Sequence, residues 1–230
     1  MATKKTKTEE TKVETSVAED AETKENRKKE KPEETPDHIE IVKQSLLKTK
    51  REGIEDLIQF MEDVGFFTAP CSGGNHLCKE GGLAEHSVNV MQSAERMGVA
   101  LLGGTAYNEV QNSVIIASLL HDLGKCGDYD KQLYVENILK SGKRSEAKPF
   151  KRNKDLTNVP HAVRSIKLAT LFIDLTEDEE WAILTHDGLY DFMKYEITGH
   201  ETWLSMLIHW ADMWSSKILE GDSGEGTGEE

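Results

Sequence analysis

Apolar residues recur with a helical period along most of this chain, and three stretches break the pattern. From Asp37 onward, IEIVKQSLLKT (39–49) and GIEDLIQFMEDVG (53–65) repeat apolar positions every three or four residues. Ile54, Leu57, Ile58 and Met61 form one stripe, and Gly65 suits the position just past a helix end. LAEHSVNVMQSAERMG (83–98) reads as a third helix, followed by a Gly-rich turn over 98–104 and a central helix over roughly 108–123. Within the central helix SVIIASLL (113–120) is apolar on all sides, as in a helix with no face in water. VPHAVRSIKLATLFI (159–173) is helical, with Pro160 in its first turn. Thr176 and Glu179 have the spacing of a capping box that opens a helix over 177–187, and the last long helix covers 200–219. The pattern predicts an all-α bundle.

The three breaks differ in kind. Residues 1–37 are Lys, Glu and Thr with almost no large apolar side chains, which predicts a disordered charged tail. FFTAPCSGGNHLCKEGG (66–82) is rich in Gly and Pro and reads as a loop holding His76. Residues 126–158 form an insert. KQLYVENIL alternates as a strand does and SGKR is a turn, so a short β-hairpin or irregular flap is expected there. The domain itself is read as 38–220, with an acidic disordered tail over 221–230.

Charge sharpens this division. The formal net charge of the 230 residues is −14. Residues 1–37 contribute −2 and the last eleven residues −5, which leaves −7 for the body. An acidic body argues against binding long duplex nucleic acid, which relies on Lys and Arg. The insert is the exception: between Asp130 and Lys154 it carries eight Lys and Arg against three acids, a contrast that suits guiding a phosphate. With no signal peptide or long apolar run, a soluble cytoplasmic protein without membrane partners is expected. Cys71, Cys78 and Cys126 read as small core thiols rather than disulfide partners.

Six polar residues occupy apolar positions. His86 shares a face with Val90, Ala94 and Met97, and His121 and Asp122 end the all-apolar helix. His161 lies in line with Ser165, Leu168 and Phe172, and His186 with Ile183 and Ala182. Asp212 shares a stripe with Leu204, Ile208 and Leu219, where an unpaired acid is costly. Four imidazoles and two carboxylates pointing inward are a ligand set for one or two divalent ions. Mn, Fe, Co, Mg or Zn suit it better than a closed structural zinc does.

The order His, His-Asp, His, His, Asp resembles the HD-domain superfamily of metal-dependent phosphohydrolases. GGLAEHS (81–87) with LLHDLGK (119–125) is similar to the HD domain of bacterial 3′–5′ exoribonuclease-like proteins and of uncharacterised HD hydrolases. HAVRS (161–165), ILTHDG (183–188) and HWADM (209–213) stand where the later motifs fall, so the resemblance covers about residues 55–219. It implies that His86, His121, Asp122 and Asp212 hold one metal, and that Asp122 bridges to a second held by His161 and His186. Asp122 and Lys125 would be catalytic, Lys125 would meet the substrate phosphate, and His76 would line the entrance; Arg164 or the basic insert would neutralise the remaining phosphate charge. Two-metal members often have a His-His pair at the fourth motif. Here it is His186-Asp187, which leaves a one-metal centre open.

The resemblance implies hydrolysis of a phosphoester, in a nucleotide or short oligonucleotide, by a metal-activated water. Two alternatives stand beside it. Some members with this ligand set are di-iron oxygenases, which iron content and oxygen uptake would reveal. A non-catalytic HD-fold ligand sensor is the other, though such a module has no physical need for all six ligands.

Overall fold

In the computed structural model of the chain, residues 37–188 and 193–221 are described. The expected disorder of the two charged ends therefore falls almost wholly outside the described residues. Asp37, assigned to the tail by composition, instead opens the first helix: its carboxylate accepts from the backbone N–H of Ile39 and Glu40.

The helices are α1 (His38–Lys48), α2 (Ile54–Asp63), α3 (Gly82–Leu102), α4 (Gly104–Leu120), α5 (His161–Ala169), α6 (Glu177–Leu184), the single turn α7 (Lys194–Ile197) and α8 (Trp203–Trp214). A 3₁₀ turn, Leu123–Cys126, follows α4, and a π-turn, Ser215–Leu219, follows α8. The insert contains β1 (Tyr134–Glu136) and β2 (Phe150–Arg152), antiparallel with Val135 opposite Lys151. The fold is thus all-α with one small hairpin, as the periodicity predicts. No helix among the described residues is long and apolar enough to cross a membrane.

α4 is the axis of the domain, with α1, α3, α5, α6 and α8 all packed against it. Val114, Ile116, Ala117, Leu119 and Leu120 are fully buried, as expected of a helix apolar on every side. The expected Gly-rich turn over 98–104 is not there. α3 runs on through Gly98, where a Cβ would come within 2.8 Å of the Tyr107 ring, so this glycine serves the close approach of α4 rather than a turn. The reversal is made at Gly103 alone, with φ +79°.

α4 begins at Gly104, four residues before its expected start, while several other helix ends lie inside their expected bounds. α4 stops at Leu120, and His121 caps it. α5 begins at His161 with Pro160 as its N-cap, and α6 stops at Leu184. The capping box of Thr176 and Glu179 is present, and a second one, of Thr202 and Ser205, opens α8.

One side chain locks α5 onto the end of α4. Ser165 Oγ donates to the carbonyl of His121 at 2.7 Å and accepts from the N–H of Gly124 at 2.8 Å. Gly124 has to be glycine, since a Cβ there would lie 2.1 Å from the His161 carbonyl oxygen. Ser165→Ala leaves a buried N–H and a buried C=O unpaired. It should lower the stability of the domain by about 1–3 kcal/mol in urea denaturation. An unchanged midpoint would show that this bond does not hold the two elements together.

Candidate metal centre

Six side chains from five elements meet at the end of α4. His86 comes from the second turn of α3, and His121 and Asp122 from the α4 terminus. His161 is the first residue of α5, His186 follows α6, and Asp212 lies in the last turn of α8. All but His161 and Asp212 are fully buried.

The nitrogens that face one another are all Nε2, for a local reason. His121 Nδ1 lies 2.7 Å from the Ser118 carbonyl, and His186 Nδ1 lies 2.7 Å from the Ile183 carbonyl. Both carbonyls belong to the last turns of α4 and α6, where they lack an intrahelical partner. An acceptor at Nδ1 requires the proton there and leaves the Nε2 lone pair free to bind a cation. His209 Nδ1–H donates to the His186 carbonyl at 2.8 Å and so pins the turn that carries His186.

Two groups of donors result. In the first, His86 Nε2 lies 3.3 Å from His121 Nε2, 3.4 Å from Asp122 Oδ2 and 3.2 Å from Asp212 Oδ1. His121 Nε2 is 3.3 Å from the same Asp122 oxygen. In the second, Asp122 Oδ1 lies 3.2 Å from His161 Nε2 and 3.6 Å from His186 Nε2, and the two nitrogens are 3.0 Å apart. Donors at about 2.1 Å from a common ion are about 3.0 to 3.4 Å apart in octahedral or tetrahedral shells, so these spacings fit.

Asp122 supplies the second test. Its two oxygens are buried and neither receives a well-formed hydrogen bond. Such atoms are costly in a protein interior unless a cation meets them. One cation is already in place: Lys125 lies three residues on in the 3₁₀ turn, where i and i+3 eclipse, and its Nζ is 2.5 Å from Oδ2. The six residues fit one or two divalent ions by donor type, spacing and unmet charge.

The electrostatics follow from this crowding. Burial alone would push the Asp122 carboxyl up, but the Lys125 ammonium and then His121 outweigh it and hold it well below the carboxylate range. Burial lowers His186, yet its bond to Asp122 and the charge of Asp187 raise it to about 9. Burial dominates at His121, whose pKa falls. His86 is carried well above its ordinary value, against burial, by Cys71 and Asp212.

Of the expected substrate groups, Lys125 and His76 are at the centre. The ring of His76 is 5.2 Å from that of His86. The structure does not bring Arg164 to this group. Its Nη2 donates to the Thr157 carbonyl at 3.2 Å and its Nε lies 3.8 Å from Asp128. It borders a separate cavity of about 180 Å³ with Tyr129, Lys131 and Lys167.

Three residues stand at the centre that sequence reasoning passed over. Asp187, read as a departure from the two-metal pattern, places Oδ2 3.4 Å from His161 Nε2 and 3.8 Å from His186 Nε2. Cys71, read as a core thiol, is buried with its Sγ 3.2 Å from His76 Nε2 and 3.8 Å from Lys125 Nζ. Burial would raise this thiol, but His86 and Lys125 bring it down to about 7. Glu220, the last residue of the expected domain and grouped only by charge with the acidic end, is buried against His86. Only Asp187 had a sequence signal, its place beside a histidine of the pattern.

This all-helical domain gathers imidazoles and carboxylates around a shared aspartate, an arrangement that could hold divalent metal. The HD-domain family model matches residues 83–191, and this stretch is an HD domain. The matched stretch includes His86, His121, Asp122, His161 and His186 and ends before Asp212. No curated protein and no solved structure matched the chain.

Asp122→Asn keeps the shape and removes the charge shared by both groups. It should abolish tight uptake of Mn²⁺ or Zn²⁺ in equilibrium dialysis; uptake equal to wild type would dismiss the shared-aspartate geometry. The metal-free fold should also depend on pH. A raised His186 stabilises the fold fully below about 6.5, its ordinary value, and this contribution is lost as pH rises through about 9. Urea denaturation in chelator should show stability falling over that window.

Proposed function

We propose that the chain is a metal-dependent phosphohydrolase or phosphodiesterase acting on a nucleotide or short oligonucleotide. The observation that carries the reading is Asp122, whose two buried oxygens each face a pair of imidazole nitrogens while Lys125 stands over one of them. Divalent ions in such a centre supply Lewis acidity and a water acidic enough to attack phosphorus near neutral pH. His86, His121, Asp122 and Asp212 would hold one ion. His161 and His186 would hold a second, with Asp187 as a further donor.

The protein's own part is placement and charge. Lys125 is positioned to meet a phosphoryl oxygen as negative charge builds on it. Its ammonium is held charged, against burial, by Asp122 and then Cys71. His161 is the most exposed of the four ligand histidines and marks the open side, its side chain 24% accessible. The basic insert lies on the 66–82 loop: Phe150 N–H donates to the Gly73 carbonyl at 3.3 Å. A cavity of about 100 Å³ between them is lined by Lys125, Tyr134 and Phe150. The exposed Lys143, Arg144, Lys151 and Arg152 then offer positive charge to an approaching phosphate. Three free thiols suit a reducing compartment such as the cytoplasm.

Lys125→Ala should keep the ions and lower kcat about 10²–10³-fold, measured on a nucleotide and phosphodiester panel with Mn²⁺, Co²⁺ or Mg²⁺. Absence of turnover across that panel by wild-type, metal-loaded protein would sink the reading. Changing Lys143, Arg144, Lys151 and Arg152 to Ser should raise KM at low salt. The penalty should shrink as added salt screens what those charges supplied.

A further inference from the structure

We propose that Glu220 is the positioning residue for His86, and that the π-turn at the end of α8 is what delivers it. The proposal rests on the metal centre described above and not on the reaction assigned to it.

His86 poses a problem that His121 and His186 do not. Those two follow the ends of α4 and α6 and take their Nδ1 acceptors from the unpaired carbonyls there. His86 lies in the second turn of a helix of 21 residues, far from that helix's unpaired carbonyls. The nearby Leu83 carbonyl already accepts from Ser87 Oγ at 3.0 Å. Something outside the helix has to hold the ring.

Glu220 does so. Its oxygens lie 3.0 and 2.9 Å from His86 Nδ1, and Asn89, three residues on along the same face of α3, donates to Oε1 at 2.9 Å. The carboxylate is 2% accessible, which a surface tail would not produce. This is the carboxylate–histidine arrangement that fixes the tautomer of a metal ligand and raises its basicity. It leaves Nε2 to face Asp122 and Asp212.

The π-turn explains why residue 220 is in place. An unbroken α-helix from Trp203 would put Leu219 on the stripe of Asp212. In the structure Leu219 is 51% exposed, and Glu220 occupies the inner side. Residues Ser215–Leu219 form the wider turn, and the Glu220 N–H bonds back to the Ser215 carbonyl five residues earlier at 2.9 Å. The extra residue per turn shifts the phase by one position, a device common at functional sites. Ser215 is fully buried with its Oγ 3.4 Å from that of Ser93, so two small side chains let the turn close on α3.

The test uses the full chain and metal alone. Metal-free wild type, Glu220→Gln and Glu220→Ala are titrated with Zn²⁺ by calorimetry, with a chelator as competitor for tight sites. Glu220→Ala should weaken the ion held through His86 about 10–100-fold, while an ion held by His161 and His186 keeps its affinity. Glu220→Gln retains an acceptor oxygen without the charge and should fall between. In the zinc-loaded wild type, nitrogen-detected NMR should find the His86 proton on Nδ1. Equal affinities in all three proteins, or a His86 ring without a proton on Nδ1, would overturn the proposal. Wild type that takes up no ion overturns it together with the centre. Glu220-dependent uptake by a protein that hydrolyses nothing sustains it and dismisses only the proposed reaction.

Discussion

A carboxylate sealed inside a protein needs positive charge at both oxygens, and the architecture around Asp122 is organised by that need. α4 carries Asp122 inward on a helix with no polar face, so its end arrives in the interior rather than at the surface. The 3₁₀ turn that follows brings Lys125 over one oxygen. Two imidazole pairs, drawn from α3, α4, α5 and the end of α6, flank the two oxygens. The same need explains why α5 comes so near that only glycine fits at 124, with Ser165 closing the gap.

Orientation of the imidazoles is a by-product of helix chemistry. A helix ends with carbonyls that lack partners, and a histidine just beyond them satisfies one through Nδ1 while turning Nε2 outward. The chain uses this at α4 and again at α6. His86 cannot, because it lies near the beginning of its helix, and there a carboxylate from the far end of the domain takes the carbonyl's place. Three buried rings are thus brought to one tautomer by two routes.

Charge is arranged in layers around the centre. The body is acidic, the insert beside the Lys125 side of the site is basic, and the innermost cation is Lys125 itself. Cys71 adds a thiol with its pKa lowered to about 7 in the same pocket, held there by His86 and Lys125. An anionic group drawn to this side meets a graded field rather than a single charge.

The all-α class, the hairpin insert and the six inward His and Asp positions were legible in the sequence, because burial imposes a period and a polar residue on an apolar stripe breaks it. The helix ends were less so: tertiary packing carried α3 through Gly98, and the phase shift of the π-turn left Leu219 outside. Asp187 looked like a departure, and Glu220, at the edge of the expected domain, carried no signal, because its partner His86 lies far away in sequence. Arg164 was expected at the site as a charge for phosphate, yet its guanidinium turns to Thr157 and Asp128. Sequence determines which faces are buried. Which donor stands against which nitrogen depends on contacts between residues such as His86 and Glu220, 134 positions apart, and only the tertiary structure decides those.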